Sequence, residues 1–303
     1  MADIVMAYST AHAPMMSANP ASAPDDMAAR FFGALDVASA KAAALDPQAV
    51  VMVSGEHFSN FFIDNLPQVS VGVGETHLGP VEKWLGIDRV IVPGSPDLGQ
   101  AILGGLIERQ HMPGLSFKLT VDHGFMTVYN RLSPQSTLPL IPMIMNCTFP
   151  PLMTLRHCWN FGVSLGQAIR AFTGLERVLL VGAGGPSHFV GEPRVGDIDI
   201  DFDLWFLRMM EADCPDELLD IPNDELMLAG NGTGEIRAWV TVAGAMSPAA
   251  GGPPTKTTAL AYEPIYEWIN GMGVALHEVV GSAGPATPAS IFAPGGQYAA
   301  GPA

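Results

Sequence analysis

Three cysteines in 303 residues, with no Cys-x-x-Cys, leave room for neither a disulfide framework nor a zinc ribbon. Cys147, Cys158 and Cys214 are irregularly spaced, as expected of a reducing compartment. Basic residues are scarce as well. Only 14 Lys and Arg stand against 30 Asp and Glu, a formal charge of −16. That is the wrong sign for a phosphate backbone and unfavourable at an anionic membrane surface, so neither nucleic acid nor membrane is an expected partner. No apolar run approaches the ~18 residues of a membrane span. No positively charged start leads into an apolar stretch, so no secretory leader is expected and the expected location is cytoplasmic. Charged residues make up 15% of the chain and hydrophobic ones 48%, which excludes a largely disordered polymer.

What is present reads as alternating strands and helices. Apolar, β-branched runs at 4–8, 50–54, 68–73, 89–92, 140–145 and 177–182 predict strands. Pro142 points the fifth towards a sheet edge. Helices are predicted over 27–45 (capped by Asp25 or Asp26), 98–110, within 151–173, and over 235–245 and 265–271. The fold class is therefore α/β: a layered fold with a central, mostly buried mixed sheet flanked by helices. Residues 1–280 form one domain in this reading. Residues 281–303 form a tail in which 16 of 23 residues are Gly, Ala or Pro and none is charged. Such a tail is expected to be an unstructured extension or an arm that docks on a neighbour.

The charge is concentrated. Residues 192–225 hold 12 acidic and two basic residues, with Asp197, Asp199, Asp201 and Asp203 alternating with apolar ones. A calcium loop is excluded because its sixth position would be Phe202 and its twelfth Arg208. The expectation is a solvated face.

The histidines are placed differently. His12 follows the first strand in Ser9-Thr10-Ala11-His12-Ala13-Pro14, and His57 follows the second in Ser54-Gly55-Glu56-His57-Phe58. His188 follows the strand at 177–182 in Gly184-Gly185-Pro186-Ser187-His188, and His123 lies in a loop, Asp122-His123-Gly124-Phe125. Ligands of α/β sheets bind outside the carboxyl ends of strands, so these histidines can converge on one crevice. Two imidazoles and one carboxylate form the facial set that holds Fe(II) and keeps positions open. Spacing alone leaves the carboxylate unnamed. His77, His111, His157 and His277 read as ordinary structural histidines. No Gly-x-Gly-x-x-Gly follows a strand, so no nicotinamide or flavin is called for.

Further segments join these: Glu56-His57-Phe58-Ser59-Asn60-Phe61-Phe62, Val71-Gly72-Val73-Gly74, Val121-Asp122-His123-Gly124-Phe125, Gly234-Glu235-Ile236-Arg237-Ala238-Trp239 and Pro264-Ile265-Tyr266-Glu267-Trp268-Ile269. In this order, and to about Val279, the chain resembles the class III (protocatechuate 4,5-dioxygenase β-type) extradiol ring-cleavage dioxygenases. Within these it most resembles the 2,3-dihydroxyphenylpropionate 1,2-dioxygenase branch. The resemblance implies His12, His57 and Glu235 as ligands of non-heme Fe(II). It implies His188 as the base that takes a phenol proton and His123 as the acid. The implied reaction joins a catechol and O2 into a ring-opened hydroxymuconic-semialdehyde-type product. One position departs: relatives carry His where this chain has Gly234, in the tight turn Gly230-Asn231-Gly232-Thr233-Gly234. The resemblance leaves two assemblies open, a homo-oligomer, which is the expectation, and a complex with a separate small α subunit.

For the substrate pocket the polar candidates are Asn60, Thr127, Tyr129, Ser187 and Thr255, and Phe58, Phe61, Phe62 and Phe125 are candidates to wall an aromatic ring. Among the motifs only Arg237 offers a cation, which favours a neutral or singly charged catechol. Two other classes compete. A metal-dependent hydrolase would use similar ligands, but no His-Glu-x-x-His is present. A non-catalytic relative serving as an assembly module would have no reason to keep all five motif residues.

Overall fold

The strands are β1 (Asp3–Thr10), β2 (Ala49–Gly55), β3 (Val69–Gly72), β4 (Thr76–Gly79), β5 (Val90–Pro93), β6 (Gly114–Ser116), β7 (Leu140–Met145), β8 (Arg177–Ala183), β9 (Thr255–Ile265) and β10 (Asn270–Val279). The computed structural model describes residues 1–282 and 285–299. Eight strands make one mixed sheet in the order β6-β3-β7-β2-β8-β1-β10-β9, and β4 and β5 form a separate ribbon. β7, β2, β8 and β1 run parallel to one another, and β10 and β9 close one side antiparallel. This is the layered α/β fold that the alternating pattern predicts.

Parallel strands are covered on both faces, so their sequences are apolar throughout rather than alternating. The side chains still alternate between two cores. Val51, Val53, Ile141, Met143, Val178 and Leu180 pack with helices Pro96–Glu108, Leu155–Ala171, Ile200–Glu211 and Ile236–Met246. Val50, Met52, Leu140, Leu179 and Val181 pack with Asp25–Ala44 and His123–Leu132. Helix Ile236–Met246 is buried at every residue, which is why its sequence shows no polar face.

Several expectations are corrected. β7 is not an edge strand, although it contains Pro142. Pro139 O and Met145 O accept from β2-side amides, so odd-numbered residues of β7 turn their backbone towards β2. Pro142 turns its missing N–H towards β3, where pairing has already ended at Val71 and Met143. Residues 265–271 are not a helix but the corner of the β9–β10 hairpin, a single 3-10 turn at Tyr266–Trp268. The apolar spacing of Ile265, Trp268 and Met272 imitates a helical stripe, but pairing of β10 with both β1 and β9 decides the conformation. Residues 123–132 are helical rather than loop, because Asp122 caps the helix by accepting from Gly124 N. Helix Asp25–Ala44 begins after Pro24, and Asp25 and Asp26 lie in its first turn, where carboxylates meet the positive end of the helix.

The tail folds back on its own chain among the described residues. Ile291 N donates to Ala259 O of β9, Ile291 is buried, and Arg208 donates to Tyr298 O. The acidic segment is not wholly a solvated face either, since Asp203 is fully buried. No described helix is long and apolar enough to cross a membrane. The three thiols are free and buried, and burial pushes that of Cys158 up to about 12.

Candidate active site

Four parallel strands bring their carboxyl ends to one edge of the sheet, and the chain leaves three of them with a histidine. His12 lies two residues beyond β1, His57 two beyond β2, and His188 in the turn after β8. Glu235 arrives from the opposite side, at the end of the 3-10 turn Thr233–Glu235 that leads into Ile236–Met246. His123, at the start of its helix, completes the group.

Glu235 is the hub. Its Oε2 lies 3.2 Å from His12 Nε2 and its Oε1 3.1 Å from His57 Nε2. Gly185 N donates to Oε2 at 2.7 Å. Burial would raise the Glu235 carboxyl, but His12 and His57 outweigh it and hold the group well below the usual carboxylate range. Burial lowers His12. Burial would lower His57 too, but Asp122 and Glu235, one on each ring nitrogen, hold it well above the usual range. Asp122 Oδ2 lies 3.0 Å from His57 Nδ1 and so fixes the ring and the free nitrogen.

This donor set fits a metal ion. Donors each about 2.1 Å from one ion and at right angles lie about 3.0 Å apart, close to the spacing of Glu235 from both imidazoles. A second set is geometrically open, because ring nitrogens of His12, His57 and His123 lie within 4.8 Å of one another. The set with Glu235 is the better match. A buried carboxylate neutralises a cation, whereas His123 brings no charge to do so and its ring lies 4.1 Å from that of His57. Three imidazoles leave the positive charge uncompensated.

His188 is buried 3.9 Å from Glu235. Its Nδ1 lies 3.3 Å from Pro186 O, and a carbonyl only accepts, so Nδ1 carries the proton and Nε2 the lone pair. Burial lowers its pKa and keeps it neutral. Gly232 packs on this ring: a Cβ there would lie 2.1 Å from His188 Nε2.

His12, His57, His123, His188 and Glu235 all line one cavity of about 570 Å³, a size typical of small-molecule sites. Phe58, Trp84, Val190, Trp268 and Ile269 wall it. Phe58 and Ile269 are held at φ 58° and 53°, a conformation that bulky residues rarely adopt and that clusters at functional sites.

Residues 6–273 match the family model described as the catalytic LigB subunit of aromatic ring-opening dioxygenase. The chain belongs to this family. Among curated relatives, a 2,3-dihydroxyphenylpropionate/2,3-dihydroxicinnamic acid 1,2-dioxygenase of Paraburkholderia xenovorans is 26% identical over 285 residues, covering 79% of this chain and 87% of the relative. The enzyme of that name from Photorhabdus laumondii is 29% identical over 274 residues, covering 76% and 84%. An uncharacterized Escherichia coli K12 protein of known crystal structure shares the fold, with a TM-score of 0.57 over 90% of this chain and 99% of its own at 16% identity. Extradiol ring cleavage of a catechol is the chemistry of this family member.

Other expected pocket residues fall elsewhere. Asn60 is spent on Thr120, accepting from its N and Oγ1 and donating to its O. Phe125 is core, Phe61 packs against that core, and Thr127, Tyr129 and Thr255 do not line the cavity. Phe62 is exposed and away from it, so only Phe58 of the phenylalanine group is a wall. Ser187 is fully buried, with its N and Oγ donating to Asp203 at 2.7 and 2.8 Å. Arg237 is buried and spent on Met153 O, Gly234 O and Asn223 Oδ1. Sequence reading missed the roles of Asp122 and Glu82. Asp122 stands beside His123 in a quoted motif. Glu82 is 41 residues from His123, so no local signal marks it.

Gly234 leaves Glu235 in place because its missing side chain is where Cys147 O packs: a Cβ would lie 1.8 Å from that oxygen. Gly234→Ala is expected to cost about 1–3 kcal/mol of stability and to lower metal retention by displacing Glu235. Thermal melting and metal content check both effects.

Asp203 also accepts from Tyr262 at 2.6 Å, and burial raises its carboxyl to about 7. A raised carboxyl binds its proton more tightly in the folded state, so its contribution is full below about pH 4 and is lost as pH rises through about 7. In denaturant titrations across this window, wild-type stability should fall relative to that of Asp203→Asn. Parallel curves would contradict this.

Proposed function

We propose that the chain is an Fe(II)-dependent extradiol dioxygenase that holds its iron through His12, His57 and Glu235 and opens the ring of a catechol to a hydroxymuconic-semialdehyde-type acid. One observation carries the reading: two imidazoles and a buried carboxylate share a cavity with two further histidines in different hydrogen-bonding environments. Bound Fe(II) supplies open positions for catechol and O2 and a path for electrons between them.

The chain's own groups do the rest. His188 offers Nε2 to a phenol proton, and its neutral state suits a base. His123 is the acid, oriented by Glu82 through Nδ1. Burial would raise Glu82, but His123 beside it holds the carboxyl below the usual range, so Glu82 remains an acceptor that fixes the ring. Asp122 orients His57. Phe58, Trp84 and Trp268 exclude water and offer apolar faces to an aromatic ring. The relatives named as dioxygenases of dihydroxyphenyl acids support a catechol as the reacting group.

The test is anaerobic reconstitution with Fe(II), followed by oxygen-electrode assays on substituted catechols. Stoichiometric O2 uptake with a yellow product is expected. Ester hydrolysis by a zinc-loaded form without O2 uptake would replace this reading with a hydrolase. Metal binding with neither activity would favour an assembly module.

A further inference from the structure

The turn that carries His188 is held from behind by one carboxylate. Asp203, in the first turn of helix Ile200–Glu211, is fully buried and lies outside the cavity lining. Its Oδ1 accepts from Ser187 N at 2.7 Å. Its Oδ2 accepts from Ser187 Oγ at 2.8 Å and from the Tyr262 hydroxyl at 2.6 Å. Ser187 Oγ in turn accepts from Asp199 N, and Ser187 O accepts from Gly271 N. Gly271 makes room for the carboxylate, since a Cβ there would lie 2.1 Å from Oδ2.

These bonds meet the peptide unit that decides the tautomer of His188. Ser187 N belongs to the same planar unit as Pro186 O, and that unit is trans, so its N–H and its carbonyl point in opposite directions. Asp203 Oδ1 holds the N–H. The carbonyl is thereby turned to His188 Nδ1, 3.3 Å away, where it keeps the proton and leaves Nε2 as an acceptor. With no carboxylate behind it, the unit is free to rotate, and Ser187 N–H and His188 Nδ1–H lose their partners together. Resting on the dioxygenase reading with His188 as base, we propose that Asp203 is a positioning residue, which orients His188 and fixes its tautomer through the Pro186–Ser187 peptide. Tyr262 and Ser187 Oγ hold the carboxylate in place for this task.

The test is a double-mutant cycle on the Fe(II)-loaded protein, read as single-turnover ring cleavage at saturating catechol. Asp203→Ala should slow cleavage roughly 10–100-fold, the scale of a lost positioning partner. Iron content should be unchanged, and the anaerobic dissociation constant for catechol should stay within about 2-fold, because Asp203 lies outside the cavity. In the His188→Ala background the same substitution should change the rate by less than about 2-fold, because a residue that acts only through His188 has nothing left to position. Ser187→Ala, which removes a single hydroxyl, carries the same cycle with a smaller first loss if Asp203→Ala does not fold. Losses that add in the double variant show general damage to the fold and overturn the inference. A wild-type rate in Asp203→Ala overturns it as well. Full turnover in His188→Ala removes the base, and the inference with it, while ring cleavage stands. If wild type opens no catechol, the dioxygenase reading itself fails and the inference falls with it.

Discussion

Glu235→Ala should yield a folded protein that no longer retains Fe(II), whereas His123→Ala should retain it. The two variants separate the two ligand sets that the geometry leaves open. The physical case rests on charge. Glu235 is the buried anion that meets both imidazoles, and it is held ionised by them. Its loss leaves a divalent cation in a buried site with neutral ligands only, and ring cleavage should fall well beyond the roughly 10–100-fold that removing an outer partner such as Asp122 costs. His12→Ala and His57→Ala should lose iron in the same way. Metal analysis after anaerobic loading and desalting gives the answer, and circular dichroism shows that the fold survives. Full iron in Glu235→Ala together with empty His123→Ala would reassign the carboxylate's place to His123.

His188→Ala should keep its iron and lose turnover by roughly 10²–10⁴-fold, the range of a positioned acid or base. The reason is the tautomer. Pro186 O takes the Nδ1 proton and so leaves Nε2 as an acceptor facing the cavity. No other group there is both neutral by burial and held in this way. The measurement is single-turnover ring cleavage at saturating catechol, with iron content determined on the same sample. Wild-type rates in His188→Ala would remove it from the base role.

Much of the fold was legible because it is written in local pattern. The continuous apolar runs of β2, β7 and β8 reflect burial on both faces, and the long helices carry their own periodicity. The hairpin β9–β10 was not legible. Thr255–Ile265 has a mixed pattern because β9 is an edge, and the corner at Trp268 carries helical spacing that only the pairing of β10 with β9 and β1 overrules. The inward Asp203 in an acidic stretch was hidden for a similar reason: its partners Ser187 and Tyr262 lie 16 and 59 residues away.

The site divides in the same way. The sequence by itself determined which histidines follow strands, and His12, His57 and His188 do line one cavity. It also determined the scarcity of cations, and among the described residues no Lys or Arg lines the cavity. Only the tertiary structure decided where Glu235 sits, since it must cross from another layer to meet two strand ends. Only the structure set His188 in one tautomer, placed Glu82 behind His123, and turned Asn60, Phe61, Phe125 and Ser187 away from the cavity. The reason is physical: residue type and strand position are local properties, whereas ring orientation, burial and charge compensation arise from contacts between segments far apart in the chain.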